Sequence, residues 1–160
     1  MTDEELAITQ LADPDPVVRV TAALAVLRQD VPWDWLRALN EAILTDLPAA
    51  VRRLGLDGRP WDLRPGTTWA ELLHVGDHDD ECRRLVRLLL AADDHSMRWI
   101  GLDLASASVR LWPTQAVRLA TALVANVRDS EGELRAETLR VLRLDPELWR
   151  VADEAFAVGG

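Results

Sequence analysis

Apolar positions recur at helical spacing along most of the chain, and no stretch reads convincingly as a strand. From Val17 to Leu27 nearly every position is apolar, with Arg19 the only charge between Asp15 and Arg28. A helix apolar all round is buried on several sides. Before it stands Asp13-Pro14-Asp15-Pro16. Each proline disfavours helical geometry in the aspartate preceding it, and Asp15 is placed to cap a helix opening at Pro16. The lone guanidinium of Arg19 needs an acceptor, and Asp13 and Asp15 are the nearest carboxylates. Over residues 33–44, Trp35, Leu36, Leu39, Ala42 and Ile43 share a face opposite Asp34, Arg37 and Glu41. Over 79–90, Cys82, Leu85, Val86 and Leu89 do the same opposite Arg83 and Arg87. Residues 114–127 and 146–156 follow with the same period, and 4–11 form an opening helix without a partner. Pro32, Pro113 and Pro146 each stand where a helix would start. The pattern predicts an all-α chain of nine or ten helices.

Part of this pattern repeats. Aligned on Arg19, Arg52, Arg98 and Arg135, the residue eight positions earlier is Leu11, Leu44, Leu90 or Val127. The residue just before the arginine is Val18, Val51, Met97 or Leu134, and three after it comes Ala22, Gly55, Gly101 or Thr138. Four positions before it an acid stands in three copies (Asp15, Asp94, Glu131), with Pro48 in the second. The arginines are spaced by 33, 46 and 37 residues, a range that suits a two-helix repeat. In physical terms the earlier leucine or valine ends one helix, the acid caps the next, and the small residue admits a close neighbour. The copies lie at about 11–27, 44–56, 90–107 and 127–142, inside a single domain over 1–160 whose last residues, 158–160, are an unstructured tail.

The signature L-x-D-x-D-x-x-V-R-x-x-A resembles the HEAT-like repeat of phycobilisome-lyase-type proteins, over about 130 residues. The resemblance implies an α-solenoid of about four helix pairs. It also implies a structural ladder in which aspartates and arginines hydrogen-bond through the stack. That role falls on Asp13, Asp46 and Asp129 with Arg19, Arg52, Arg98 and Arg135. Ala92 replaces the aspartate of the third copy, so Asp93 or Asp94 would have to substitute there.

Residues 57–79 fit no repeat and contain Gly58, Pro60, Pro65, Gly66 and Gly76. Thr67 or Thr68 with Glu71 suggests a capped short helix through Leu73. Long irregular insertions are common places for function, but Trp61 and Trp69 also suit a role as packing plugs.

Composition narrows the functional classes. The chain of 160 residues has a formal net charge of −9, 18 basic side chains that are all arginine, seven tryptophans and one cysteine. The acidic balance argues against general nucleic-acid binding, leaving only a weak alternative through a local arginine strip. The lone Cys82 excludes an internal disulfide framework and fits a reducing, cytoplasmic compartment. No apolar run approaches membrane-spanning length. The Ala/Arg/Leu bias fits a GC-rich, bacterial-type genome.

Candidate chemistry is sparse. His74, His78 and Cys82, with His95 and several aspartates nearby, have donor types that a transition metal uses. Gly76-Asp77 breaks the helix between the histidines, however, and Asp79-Asp80 reads as a cap for the next one, so no metal and no cofactor is assigned. No P-loop, dinucleotide fingerprint or nucleophile elbow is present. A small-ligand, metal-binding or enzymatic role for residues 57–95 remains the alternative. The leading expectation is a non-catalytic scaffold that binds a protein or peptide on the concave face of the array, with Trp33, Arg37, Trp61, Trp69, Arg83, Arg87 and Arg118 as candidates on that face or on the insertion. Trp149 and Phe156 on the last helix either pack inward or meet a second copy.

Overall fold

The computed structural model describes residues 3–29, 31–54 and 65–159, and every regular element among them is a helix. By its internal packing the chain falls into two compact units, Met1–Pro60 and Trp61–Gly160. The division falls inside the 57–79 insertion, where the clustered prolines and glycines interrupt the helical pattern. No helix among the described residues is long and apolar enough to cross a membrane.

The first unit contains α1 (Asp3–Leu11), α2 (Pro16–Leu27) and α3 (Trp33–Arg53). Asp15 caps α2 by accepting the Val17 N–H at 3.0 Å, and Asp13 accepts the Asp15 N–H at 2.8 Å. These bonds satisfy donors that the helix start leaves orphaned. Val20, Ala22, Ala23 and Leu27 of α2 are buried, as are Leu36, Leu39, Ile43, Leu47, Ala50 and Val51 of α3.

α3 departs from expectation. Residues 33–44 and the second repeat copy were expected as separate helices, yet they form one helix of 21 residues that runs through Pro48. In the second copy Pro48 occupies the place of the capping acid, so no side chain ends one helix and starts the next. The extension also moves the buried face. Leu47, Ala50 and Val51 join Leu36, Leu39, Asn40 and Ile43, while Trp35 and Ala42 turn outward.

The second unit runs α4 (Pro65–Val75), α5 (Asp79–Leu90), α6 (His95–Leu111), α7 (Pro113–Ala116), a 3-10 turn (Val117–Leu119), α8 (Ala120–Asp129), α9 (Gly132–Leu142) and α10 (Pro146–Gly159). α6 packs against α4, α5 and α9, and Ile100, Leu102, Leu104 and Ala105 have at most 1% exposure. Gly101 makes the α5–α6 contact possible. A Cβ there would lie 2.9 Å from Leu89 Cβ and 3.2 Å from the Leu90 backbone nitrogen. Asp94 caps α6 through the Ser96 N–H at 2.8 Å, and Asp145 caps α10 through the N–H groups of Glu147 and Leu148 at 3.1 and 3.0 Å. Glu131 makes no such side-chain cap at α9. α10 continues to Gly159, so the helix runs into the expected tail.

The start of α4 is secured from another helix. Asp103 of α6 accepts the Thr67 N–H at 3.1 Å and the Thr67 hydroxyl at 2.9 Å. The expected box of Thr67 or Thr68 with Glu71 is therefore replaced by a carboxylate from α6, and Glu71 pairs with Arg110 at 3.2 Å. α4 ends where Asp77 adopts a left-handed φ of 57°, with its N–H donating to His74 and that of His78 to Leu73. His78 then stands at the N-cap of α5, and neither Asp79 nor Asp80 takes that place.

Candidate functional site

The predicted ladder residues divide into bonded and exposed ones. Arg19 donates from Nε and Nη2 to the two carboxylate oxygens of Asp46, each at 2.9 Å, and from Nη1 to the Asp13 carbonyl at 2.7 Å. The hydrogen bond to Asp46 raises the Arg19 guanidinium above the ordinary arginine range. Arg98 donates from Nε to the Ala92 carbonyl at 2.7 Å. The backbone at Ala92 thus does what was expected of Asp93 or Asp94, and Asp94 instead caps α6. Arg52, Asp129 and Arg135 are exposed, and Arg52 and Arg135 form no ion pair among the described residues. The reason at Arg52 is geometric. It lies six residues beyond Asp46 on one helix, about 240° around the axis, so the helix that turns Asp46 toward Arg19 turns Arg52 away.

The candidate surface residues do not form one cluster. Trp69 is fully buried at 0% exposure, which makes it a core residue, and Trp61 lies outside the described residues. Arg83 is buried because its guanidinium folds back along α5 to Asp79, at 2.6 Å, and to Asp80, so it presents no free charge. Arg87 and Arg118 are exposed, and Nη2 of Arg87 donates to the Arg118 main-chain carbonyl at 3.4 Å.

The histidine stretch also separates. Cys82 is buried, and desolvation pushes its thiol up to about 12 despite a hydrogen bond with Ser108. His74 meets Trp112 edge-on at 5.2 Å between ring centroids, and the Trp112 indole N–H donates to Asp77 at 3.1 Å. Those contacts make a structural corner where α4 turns into α5. No group of three His, Cys, Asp or Glu side chains comes together to hold a metal among the described residues. Asn126, Ser130 and Thr138 are buried polar residues satisfied by each other and by the Leu134 carbonyl.

One surface remains exposed where burial would be expected. Trp33 and Trp35, at the start of α3, are 47% and 59% exposed, whereas Trp99 and Trp112 join Trp69 in the core. The Arg37 guanidinium lies 5.7 Å from the Trp33 ring centroid. Two residues apart on a helix, the indoles lie about 200° from each other and bracket the outward arc of Asp34, Ala38 and Glu41. The apolar spacing over residues 33–44 alone faces Trp35 inward, because only residues up to Ile43 then set its phase. Continued through Leu47, Ala50 and Val51, the same spacing faces Trp35 outward.

Compared with protein-family models, curated proteins and solved structures, the chain matches none.

Proposed function

We propose that the chain is a HEAT-like, non-catalytic module that binds a protein or peptide through the outward face at the start of α3. The observation that carries this reading is the exposure of Trp33, which lies beside Arg37, and of Trp35, in a protein that buries Trp69, Trp99 and Trp112. Tryptophan and arginine dominate the energetic centres of protein interfaces, because an indole gives up much water-exposed area on binding. Support for the HEAT-like assignment comes from equivalent bonds in two copies. Asp15 and Asp94 cap their helices alike, and Arg19 and Arg98 each donate to the carbonyl six residues back.

The test is affinity capture from native cells with the wild type and with a Trp33→Ala/Trp35→Ala double variant. A protein held by the first and lost by the second is then purified and titrated against the chain while tryptophan fluorescence is followed. Equal capture by both, or titration without a fluorescence change, rejects the α3 face as the site. Turnover of a small substrate that depends on one side chain would reject the non-catalytic reading.

A further inference from the structure

The outward face of α3 carries opposite charges at its two ends. Asp34 and Arg52 are both exposed, and neither forms an ion pair among the described residues. They stand 18 residues apart on one helix, which is about five turns, so both lie on one line along its surface, roughly 27 Å from end to end. Trp35 and Arg53, also exposed, share the neighbouring line by the same spacing. The middle of this face carries Ala38, Ala42 and Thr45, all exposed, and Ala49, which is half-buried. None of these side chains is long enough to hold a neighbouring helix away. Glu41 stands at the edge of the face, one turn beyond Arg37, and is already engaged within the chain.

We infer that this face joins a second copy of the chain, α3 against α3, in an antiparallel, two-fold-related pair. The inference rests on the reading of the α3 face as a binding surface and names its partner. A helix with one charge at each end of a line is complementary to itself when turned end for end. Asp34 of each copy then meets the partner's Arg52. Each Trp35 meets the partner's Arg53, whose guanidinium lies 3.7 Å from Asp15 of its own chain and is largely exposed. Positions 35, 38, 42, 45, 49 and 52 recur at spacings of three and four that read the same from either end. Ala38 therefore faces the partner's Ala49, and Ala42 the partner's Thr45, and these small residues let the two helices approach closely. A parallel pair would set Asp34 against Asp34 and Arg52 against Arg52, so the charges select the antiparallel one. A helix of uniform charge from another protein would match one end of the line and oppose the other. Trp33 lies about 200° around the helix from Trp35 and stays outside this contact. One helix a side is a small interface, so the pair comes apart on dilution.

The experiment is sedimentation velocity of the full-length protein at physiological salt over a series of concentrations, with circular dichroism to show that each variant is folded. The wild type is expected to pass from 17.9 kDa to twice that mass as concentration rises. Asp34→Arg and Arg52→Asp should each weaken the dimer about ten-fold, because two attractive pairs become two repulsive ones. The double variant Asp34→Arg/Arg52→Asp should regain the wild-type dimer, and so should an equimolar mixture of the two single variants. Trp35→Ala should weaken association about thirty-fold, as loss of a central interface tryptophan does, while Trp33→Ala should leave it unchanged. The inference is overturned by a wild type that stays monomeric at every concentration. It is equally overturned by a dimer that both single charge variants leave intact, or that neither the double variant nor the mixture restores. A monomeric wild type whose Trp33→Ala/Trp35→Ala variant still loses a captured protein rejects the second copy and keeps the α3 face as the site. Equal capture by those two proteins rejects the face itself.

Discussion

Arg98 donates its Nε–H to the carbonyl oxygen of Ala92, 2.7 Å away, and thereby repeats the bond from Arg19 to the Asp13 carbonyl. The two arginines occupy equivalent places, and in both the acceptor is backbone six residues earlier. A carbonyl is present whatever the side chain, so alanine serves where aspartate was expected. Arg98→Ala should cost about 1.5–3 kcal/mol, the range of a hydrogen bond to a charged group, while Ala92→Asp, which keeps the carbonyl, should cost less than about 1 kcal/mol. Urea unfolding of both variants checks this, and equal destabilisation by the two would deny the carbonyl its role.

At Arg19 the backbone bond is joined by the two-pronged contact to Asp46, which ties α2 to α3. Arg19→Ala should therefore lower the melting temperature more than Arg28→Ala, whose side chain is exposed and makes no ion pair among the described residues. A double-mutant cycle of Arg19→Ala with Asp46→Ala should show coupling. Additive losses would mean that the pair contributes nothing beyond its separate parts.

The buried thiol of Cys82 sets an alkaline limit. Its folded pKa is pushed up to about 12 from an ordinary 9.0, chiefly by desolvation. Below pH 9 both folded and unfolded chains hold the proton, so this group adds no pH dependence. Between about 9 and 12 the unfolded chain releases the proton and the folded one does not. Stability should then fall by about 1.4 kcal/mol per pH unit from this group alone. Cys82→Ala should flatten that part of the profile relative to wild type, and the wild-type thiol should resist a disulfide reagent at pH 8 until the protein is unfolded. Rapid labelling of folded protein would contradict the burial.

Trp69 and Trp35 provide opposite controls on burial. Trp69→Ala removes a fully buried indole and should cost about 3–5 kcal/mol. Trp35→Ala removes an exposed one and should leave stability within about 0.5 kcal/mol of wild type. Chemical denaturation measures both. A large loss at Trp35 would assign it to packing and remove it from the proposed binding face.

Asp103 holds the first turn of α4 through both the N–H and the hydroxyl of Thr67. Asp103→Ala should cost about 1–2 kcal/mol, as lost helix caps do, and should accelerate amide exchange most in α4. Uniform acceleration over the second unit would show that the carboxylate does more than cap.

Much of the helical layout was legible because its causes are local. The helical spacing of apolar side chains, the proline starts and the aspartates at positions 15 and 94 act within a turn or two of their own position. The break between His74 and His78 was likewise written in Gly76 and Asp77, the latter taking the left-handed φ. The length of α3 was not legible, because a proline inside a helix looks the same in sequence as a proline that starts one. Packing of Leu47, Ala50 and Val51 decided between them and turned Trp35 outward.

Of the candidate site, the sequence alone supplied residue types: tryptophans, arginines and a carboxylate for Arg19. The tertiary structure decided which of them reach solvent and which find a partner. It buried Trp69, folded Arg83 back onto Asp79 and Asp80, and matched Arg19 with Asp46 across helices. It also set Arg87 against the main-chain carbonyl of Arg118. Exposure and pairing depend on neighbours distant in sequence, and a backbone acceptor such as the Ala92 carbonyl leaves no mark in residue identity at all.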